Sequence, residues 1–168
     1  MNTVTKSQPS VQSFTADRGL VVHGAIMLLL GLLSGFSPFF VKAKIAGLEA
    51  HNIGVIQGTL LFALAAVWPS LGRGRIVAAA RFCALVGLYA NWLGAFLSAV
   101  WSAKGMFIVN GASMPGGAAR WMEETVAVLL NISILVVVMC VLILWTAARK
   151  RTLETRDISA GDEPAKRD

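Results

Sequence analysis

The residues of this sequence best suited to chemistry lie where lipid would penalise them. His51 and Gln57 stand within two turns of each other in the stretch Glu49–Leu71, which otherwise runs apolar to a Trp68-Pro69 stop. An imidazole can hold a metal or pass a proton near neutral pH. An amide can orient a small molecule through both a donor and an acceptor. Asn91, Asn131 and the adjacent pair Glu123 and Glu124 are further polar groups within or at the ends of long apolar runs. A carboxyl taken out of water titrates higher than usual and can then act as an acid. Structural roles compete for each group: an amide between membrane helices is commonly glue, and a carboxylate at a helix N-terminus is favoured by the dipole. One of the two glutamates is expected to be a solvated cap. His23, one turn into its own apolar run, is expected in a structural role near the membrane surface.

The elements that carry these groups are membrane helices. Hydrophobic residues make up 56% of the 168, and the mean hydropathy is +0.68, well above a soluble domain. Four runs are long enough to span a bilayer: Gly19–Phe40, Glu49–Leu71, Ile76–Trp101 and Trp121–Trp145. The fold expected is an all-α, four-transmembrane-helix bundle over 19–146, with a polar tail at 1–18 and a charged, disordered tail at 147–168. No cleavable leader is expected, because the first apolar run comes late and lacks a small-residue cleavage site. Gly35 and Pro38 should end or kink the first helix. Gly54 and Gly58 form a small-residue pair that admits a neighbouring helix closely. Gly87, Asn91, Gly94 and Ser98 make a small, faintly polar packing stripe on the third span. The basic turn Leu71-Gly-Arg-Gly-Arg75 should pair the second and third helices antiparallel. The Gly- and Pro-rich stretch from Ser102 to Arg120 reads as a loop or lid. Cys83 and Cys140 sit in apolar runs and should be small buried hydrophobes.

The net charge of +6 gathers at the ends of the spans and so speaks for the lipid bilayer as partner, not nucleic acid. Arg81 is close enough to a helix start to snorkel. Four spans place both termini on one side. Eleven of the fifteen Lys and Arg fall on that side, which predicts cytoplasmic termini. Trp68 and Trp145 then mark one interface and Trp101 and Trp121 the other, while Trp92 is mid-span and must pack or line a pocket. His51, Gln57, Asn91, Glu123, Glu124 and Asn131 fall in one depth layer of the outer half. Phosphate loops, dinucleotide fingerprints, zinc clusters and hydrolase elbows are missing from the sequence. Such a pocket suits acid catalysis on a small neutral molecule. An electron-carrying cytochrome would want a second axial ligand such as His23, which should lie towards the opposite face from His51. A transporter or assembly subunit is the remaining alternative.

The segments "LEAHNIGVIQGTLLFALAAVWPSL", "LYANWLGAFLSAVW", "CVLILW" and "HGAIMLLLGLLSGF" resemble hydroxylaminobenzene mutases, small four-span enzymes of bacterial nitroarene degradation. The likeness runs from about Val21 to Trp145. More distantly, "HG" in the first span and "AHNIGVIQG…PSL" in the second resemble styrene oxide isomerase, a haem-b epoxide isomerase. The first resemblance implies an isomerase in the bacterial inner membrane that turns hydroxylaminobenzene into 2-aminophenol. The second implies that His51 ligates haem b. Gln57, Asn91, Glu124 and Asn131 would then be catalytic, Tyr89 and Trp92 would contact the ring of an aromatic hydroxylamine, and a homo-oligomer is expected. Where styrene oxide isomerase carries an aspartate and a tyrosine on its third helix, this chain has Gly87 and Ala95, which counts against epoxide chemistry.

Overall fold

The computed structural model describes residues 15–103 and 117–161, and among these every regular element is helical. Helix α1 covers Arg18–Ser34, α2 Lys44–Val67, α3 Arg75–Trp101, α4 Arg120–Ile132 and α5 Leu135–Gly161; short 3-10 turns occupy Ser37–Phe39 and Trp68–Leu71. With α4 and α5 stacked end to end, four helical rods are long and apolar enough to cross a membrane. The four-span, all-helical architecture expected from the sequence is therefore present.

Glycine decides how α1 meets α2. A β-carbon on Gly31 would lie 2.6 Å from the backbone of Gly54 and Val55, and one on Gly58 would lie 2.8 Å from the amide nitrogen of Leu28. The two backbones touch, which gains dispersion contact that lipid chains cannot match. The contacts Gly31 to Gly54, Gly24 to Gly58 and Gly35 to His51 run in opposite directions along the two helices, so they are antiparallel. Helix α3 is the hub. It packs on α2 on one side and on both α4 and α5 on the other, whereas α1 lies chiefly against α2. Gly87 of α3 faces Val136, and Gly94 faces Leu129 and Leu130. The small-residue stripe is thus the packing face for the last span.

The ends of the rods are tied. Asp17 caps α1 by accepting from the Leu20 amide at 2.9 Å, and its other oxygen holds Arg81 of α3 at 2.6 Å. Its own amide donates to the Ala65 carbonyl of α2 at 2.9 Å. Arg81 therefore does more than snorkel, and Asp17 is no part of a loose tail. That neighbouring guanidinium is also the main reason the Asp17 carboxyl titrates below its ordinary value. Trp101 and Trp121 meet edge to face at the other end, with ring centres 5.2 Å apart.

Other boundaries differ from the sequence reading. Helix α2 starts at Lys44, so the expected connector up to Ala50 is mostly helical. The last span is not one helix: it breaks at Ser133 and Ile134, where the Ser133 hydroxyl donates to the Leu130 carbonyl at 2.5 Å. Helix α5 continues through the charged segment to Gly161, so that segment is helical and not disordered as far as it is described. Cys83 is buried as expected, but Cys140 is exposed. Most of the presumed lid between Ser102 and Arg120 lies outside the described residues, as do the first fourteen residues and the last seven.

Candidate active site

His51 is positioned by the end of α1. Pro38 cannot continue a helix, and α1 stops at Ser34, so the carbonyls of its last turn can take partners from outside the helix. The Gly31 carbonyl is one of them. It accepts from the Ser34 hydroxyl at 2.8 Å, from the Gly35 amide at 3.3 Å and from His51 Nδ1 at 2.8 Å. A carbonyl only accepts, so Nδ1 carries the proton and the lone pair of the neutral ring resides on Nε2. No described residue pairs with Nε2. A β-carbon on Gly35 would approach Nδ1 to 2.8 Å, so glycine clears the space that the ring occupies.

Around His51, polar atoms go unpaired. Among the described residues three buried side-chain atoms lack a hydrogen-bond partner: Ser37 Oγ, Gln57 Oε1 and Trp92 Nε1. Buried polar groups in folded proteins are nearly always paired, so each such atom calls for an explanation. Ser37 faces Gly47 of α2, next to Ala46 of a small apolar cluster with Ala43 and Ala99, whereas Trp92 packs against the larger apolar cluster built on Leu61, Leu64, Leu88 and their neighbours. Gly54, one turn after His51 and one before Gln57, admits Trp92: a β-carbon there would lie 3.0 Å from Trp92 Cδ1. Trp92 in turn stacks on Phe96, 5.4 Å away and within 10° of parallel. Gln57 Oε1 is thus an unpaired acceptor on α2 and Trp92 Nε1 an unpaired donor on α3, the two kinds of group that orient a small molecule bearing N–H or O–H groups.

The remaining candidates are not gathered here. Tyr89 contacts His23: the hydroxyl lies 3.2 Å from Nδ1 and the rings meet edge to face at 5.9 Å. His23 thus has the structural partner expected of it. Asn91 sits between Gly87 and Gly94 on the stripe that faces the last span. It is half-buried and makes no hydrogen bond to a described residue. Glu124 and Asn131 are both exposed, contrary to the common pocket inferred from depth. Glu124 pairs with Arg120 at 2.8 Å, and the Asn131 amide donates to the Ala127 carbonyl one turn back at 2.7 Å. They share a helix face, as their spacing implied, but within one chain that face points away from the bundle. The sequence reading placed none of Gly31, Gly35 and Ser37 at the site, although it marked Gly35 and Pro38 as the end of that helix.

No set of three or more potential metal-binding side chains occurs among the described residues. Any metal held by His51 would therefore have to arrive with most of its ligands in place, as in a prosthetic group. Comparison with known proteins gives the chemistry a class. The family model described as styrene oxide isomerase matches residues 16–148. Hydroxylaminobenzene mutase HabB of Ectopseudomonas oleovorans is 36% identical over 168 residues, covering 96% of this chain and 99% of its own. Hydroxylaminobenzene mutase HabA of the same organism is 36% identical over 85 residues, 50% of this chain and 63% of its own. With most of its length under that family model and a full-length relative beside it, the chain belongs to the family of styrene oxide isomerases and hydroxylaminobenzene mutases, and it is an isomerase.

Proposed function

We propose that this isomerase converts hydroxylaminobenzene into 2-aminophenol within a membrane. The full-length likeness to a protein named for that substrate carries the reading. The reaction is redox-neutral. The N–O bond breaks, a C–O bond forms at the ortho carbon, that carbon loses its hydrogen as a proton, and nitrogen takes one up. In the proposed site Gln57 Oε1 accepts a hydrogen bond from the hydroxylamine, and Trp92 Nε1 donates one to its oxygen. These two of the three orphaned atoms then have partners of the right sense. Apolar surroundings keep bulk water from the ring while it carries positive charge, and the faces of Trp92 and Phe96 favour that charge.

His51 would hold haem b through Nε2, with Nδ1–H fixed by the Gly31 carbonyl, a second-shell bond of the kind that orients ligating histidines. When bound, ferric haem supplies a Lewis acid that weakens the N–O bond. Asn91 would steer from the α3 stripe. Glu124 and Asn131 enter the mechanism only where a second copy covers the last span, the exposed face available for the homo-oligomer. Both termini would be cytoplasmic in the bacterial inner membrane. In a cysteine-free background, a cysteine replacing Ala112 should react with an impermeant thiol reagent in intact cells, and one replacing Ser159 should not.

Washed membranes containing the protein should form 2-aminophenol in oxygen-18 water without taking up the label. Full incorporation from solvent would refute the intramolecular shift. The family model favours a second reading, aryl-epoxide isomerisation. Against it, Gly87 is filled by Val136, since a β-carbon there would lie 2.9 Å from Val136 Cγ2, and Ala95 is fully buried. Supplying styrene oxide in place of the hydroxylamine separates the two. Against the cytochrome reading, His23 is engaged by the Tyr89 hydroxyl, while His51 is bonded at Gly31, eight residues further along α1, or ~12 Å at the helical rise.

A further inference from the structure

At the end of the bundle where α1 begins, the α2–α3 turn and helix α5 border a cleft of about 340 Å³. Four cations line it: Arg73 and Arg75 from the turn, Arg149 and Lys150 from α5. None of them is paired with a carboxylate among the described residues. Arg149 lies over the ring of Trp145, 5.2 Å from its centre, and Lys150 donates to the Ser70 carbonyl at 2.5 Å. These two contacts hold the α5 cations facing the turn. Four positive charges around one space repel each other, and an anion there would relieve that repulsion. Beside Gly74 and Thr146 the lining includes the apolar Leu71, Ile76, Val77 and Trp145, which a free inorganic ion does not require. The cleft at the opposite end, of about 390 Å³, has a single cation, Lys42.

We propose that this cleft binds one anionic phospholipid. Its phosphate is held by Arg73, Arg75 and Arg149, and its acyl chains lie along Leu71, Ile76 and Val77. Arginine suits the role because its planar fork meets two phosphate oxygens at once, and tryptophan belongs at the headgroup level. The bound lipid clamps α5 to the α2–α3 turn, to which the Lys150–Ser70 hydrogen bond otherwise ties it among the described residues. This proposal is independent of the reaction assigned above.

The test uses full-length protein in neutral detergent, with lipid retention read by native mass spectrometry and stability by thermal unfolding. Phosphatidylglycerol should leave a retained one-lipid adduct and raise the unfolding temperature, whereas phosphatidylcholine should do neither. Arg73→Gln/Arg75→Gln should weaken phosphatidylglycerol binding by roughly tenfold to thirtyfold, on the scale of two interfacial cations. Arg73→Lys/Arg75→Lys should keep most of it. Arg149→Gln, on a different element, should weaken binding without touching the turn, which keeps the test valid if the double variant folds poorly. Arg18→Gln, an exposed cation outside the cleft at the same end, should change nothing. Equal retention of phosphatidylcholine, wild-type binding by both glutamine variants, or an equal loss in Arg18→Gln would overturn the proposal. So would the same stabilisation from inorganic phosphate, since that would make the cleft a free-anion site.

Discussion

The α1–α2–α3 junction and the last span meet lipid in opposite ways. The junction is built from the less apolar helices, is lined by glycine, and buries polar atoms. The last span is the most apolar of the four, yet only 11% of its most apolar window is buried within the chain, against 50% for α3. In water, the most apolar helix would be the most buried; in a bilayer hydropathy and burial separate, because lipid satisfies an apolar side chain as well as protein does. Close packing and polar chemistry therefore belong to the helices whose composition is weaker, and the strongest membrane signal marks the element with least to do inside one chain.

The contrast is sharpest at His51. In the proposed haem site, its replacement by Ala should cost about 100-fold or more in turnover and abolish the Soret band of the bound haem, while the helical signal in detergent is kept. A fully active, folded variant would remove His51 from the mechanism. Next comes packing. Gly31→Val should destabilise by about 1–3 kcal/mol, because the added methyls meet backbone. Val137→Ala on the exposed face of α5 should stay within about 0.5 kcal/mol. Equal effects in thermal unfolding would erase the distinction between the two regions.

Gln57→Leu tests the orphaned acceptor by sign. Removing an unpaired buried atom should leave stability equal or raise it by about 1 kcal/mol, while turnover falls by about tenfold. A fall in stability would instead assign Gln57 a structural partner. Asp17→Asn should cost about 1 kcal/mol or less, its pair with Arg81 being partly exposed. The folded carboxyl titrates below its ordinary 3.8, so the contribution is present above that pH and disappears as pH falls through the lowered value; unfolding measured against pH in wild type and variant checks it. The smallest effects should come from Glu124→Gln and Asn131→Ala, within about twofold in turnover, as befits exposed groups. A tenfold loss in either would mean that the last span reaches a site in a neighbouring copy.

Much of the fold was legible because a bilayer imposes length: the four apolar runs, the end of α1 near Pro38 and the basic turn before Arg75 follow from sequence. His51, Gln57 and Trp92 were legible as polar or bulky groups out of place. What failed was direction around the axis. Span ends and charge counts fix height in the membrane, so Glu124 and Asn131 shared a layer with His51; direction was carried by α4 itself, where Arg120, Glu124 and Asn131 recur on one stripe opposite the buried Val126. The break at Ser133 and Ile134 was hidden for another reason: it needs no proline or glycine, only a serine hydroxyl that bonds back to Leu130. Charged residues at 44–50 and 147–161 read as loop or tail although helix runs through both.

The Gly31 carbonyl joins two things usually kept apart, the stop of a helix and the setting of an imidazole. Helix ends are the first backbone to fray on warming. Once the last turn of α1 loosens, Nδ1 loses its acceptor, and the proton is free to move between the two ring nitrogens. Heat should therefore disarm this protein before it melts it: turnover should be lost reversibly at temperatures where the helical signal is still intact, and cooling should restore it.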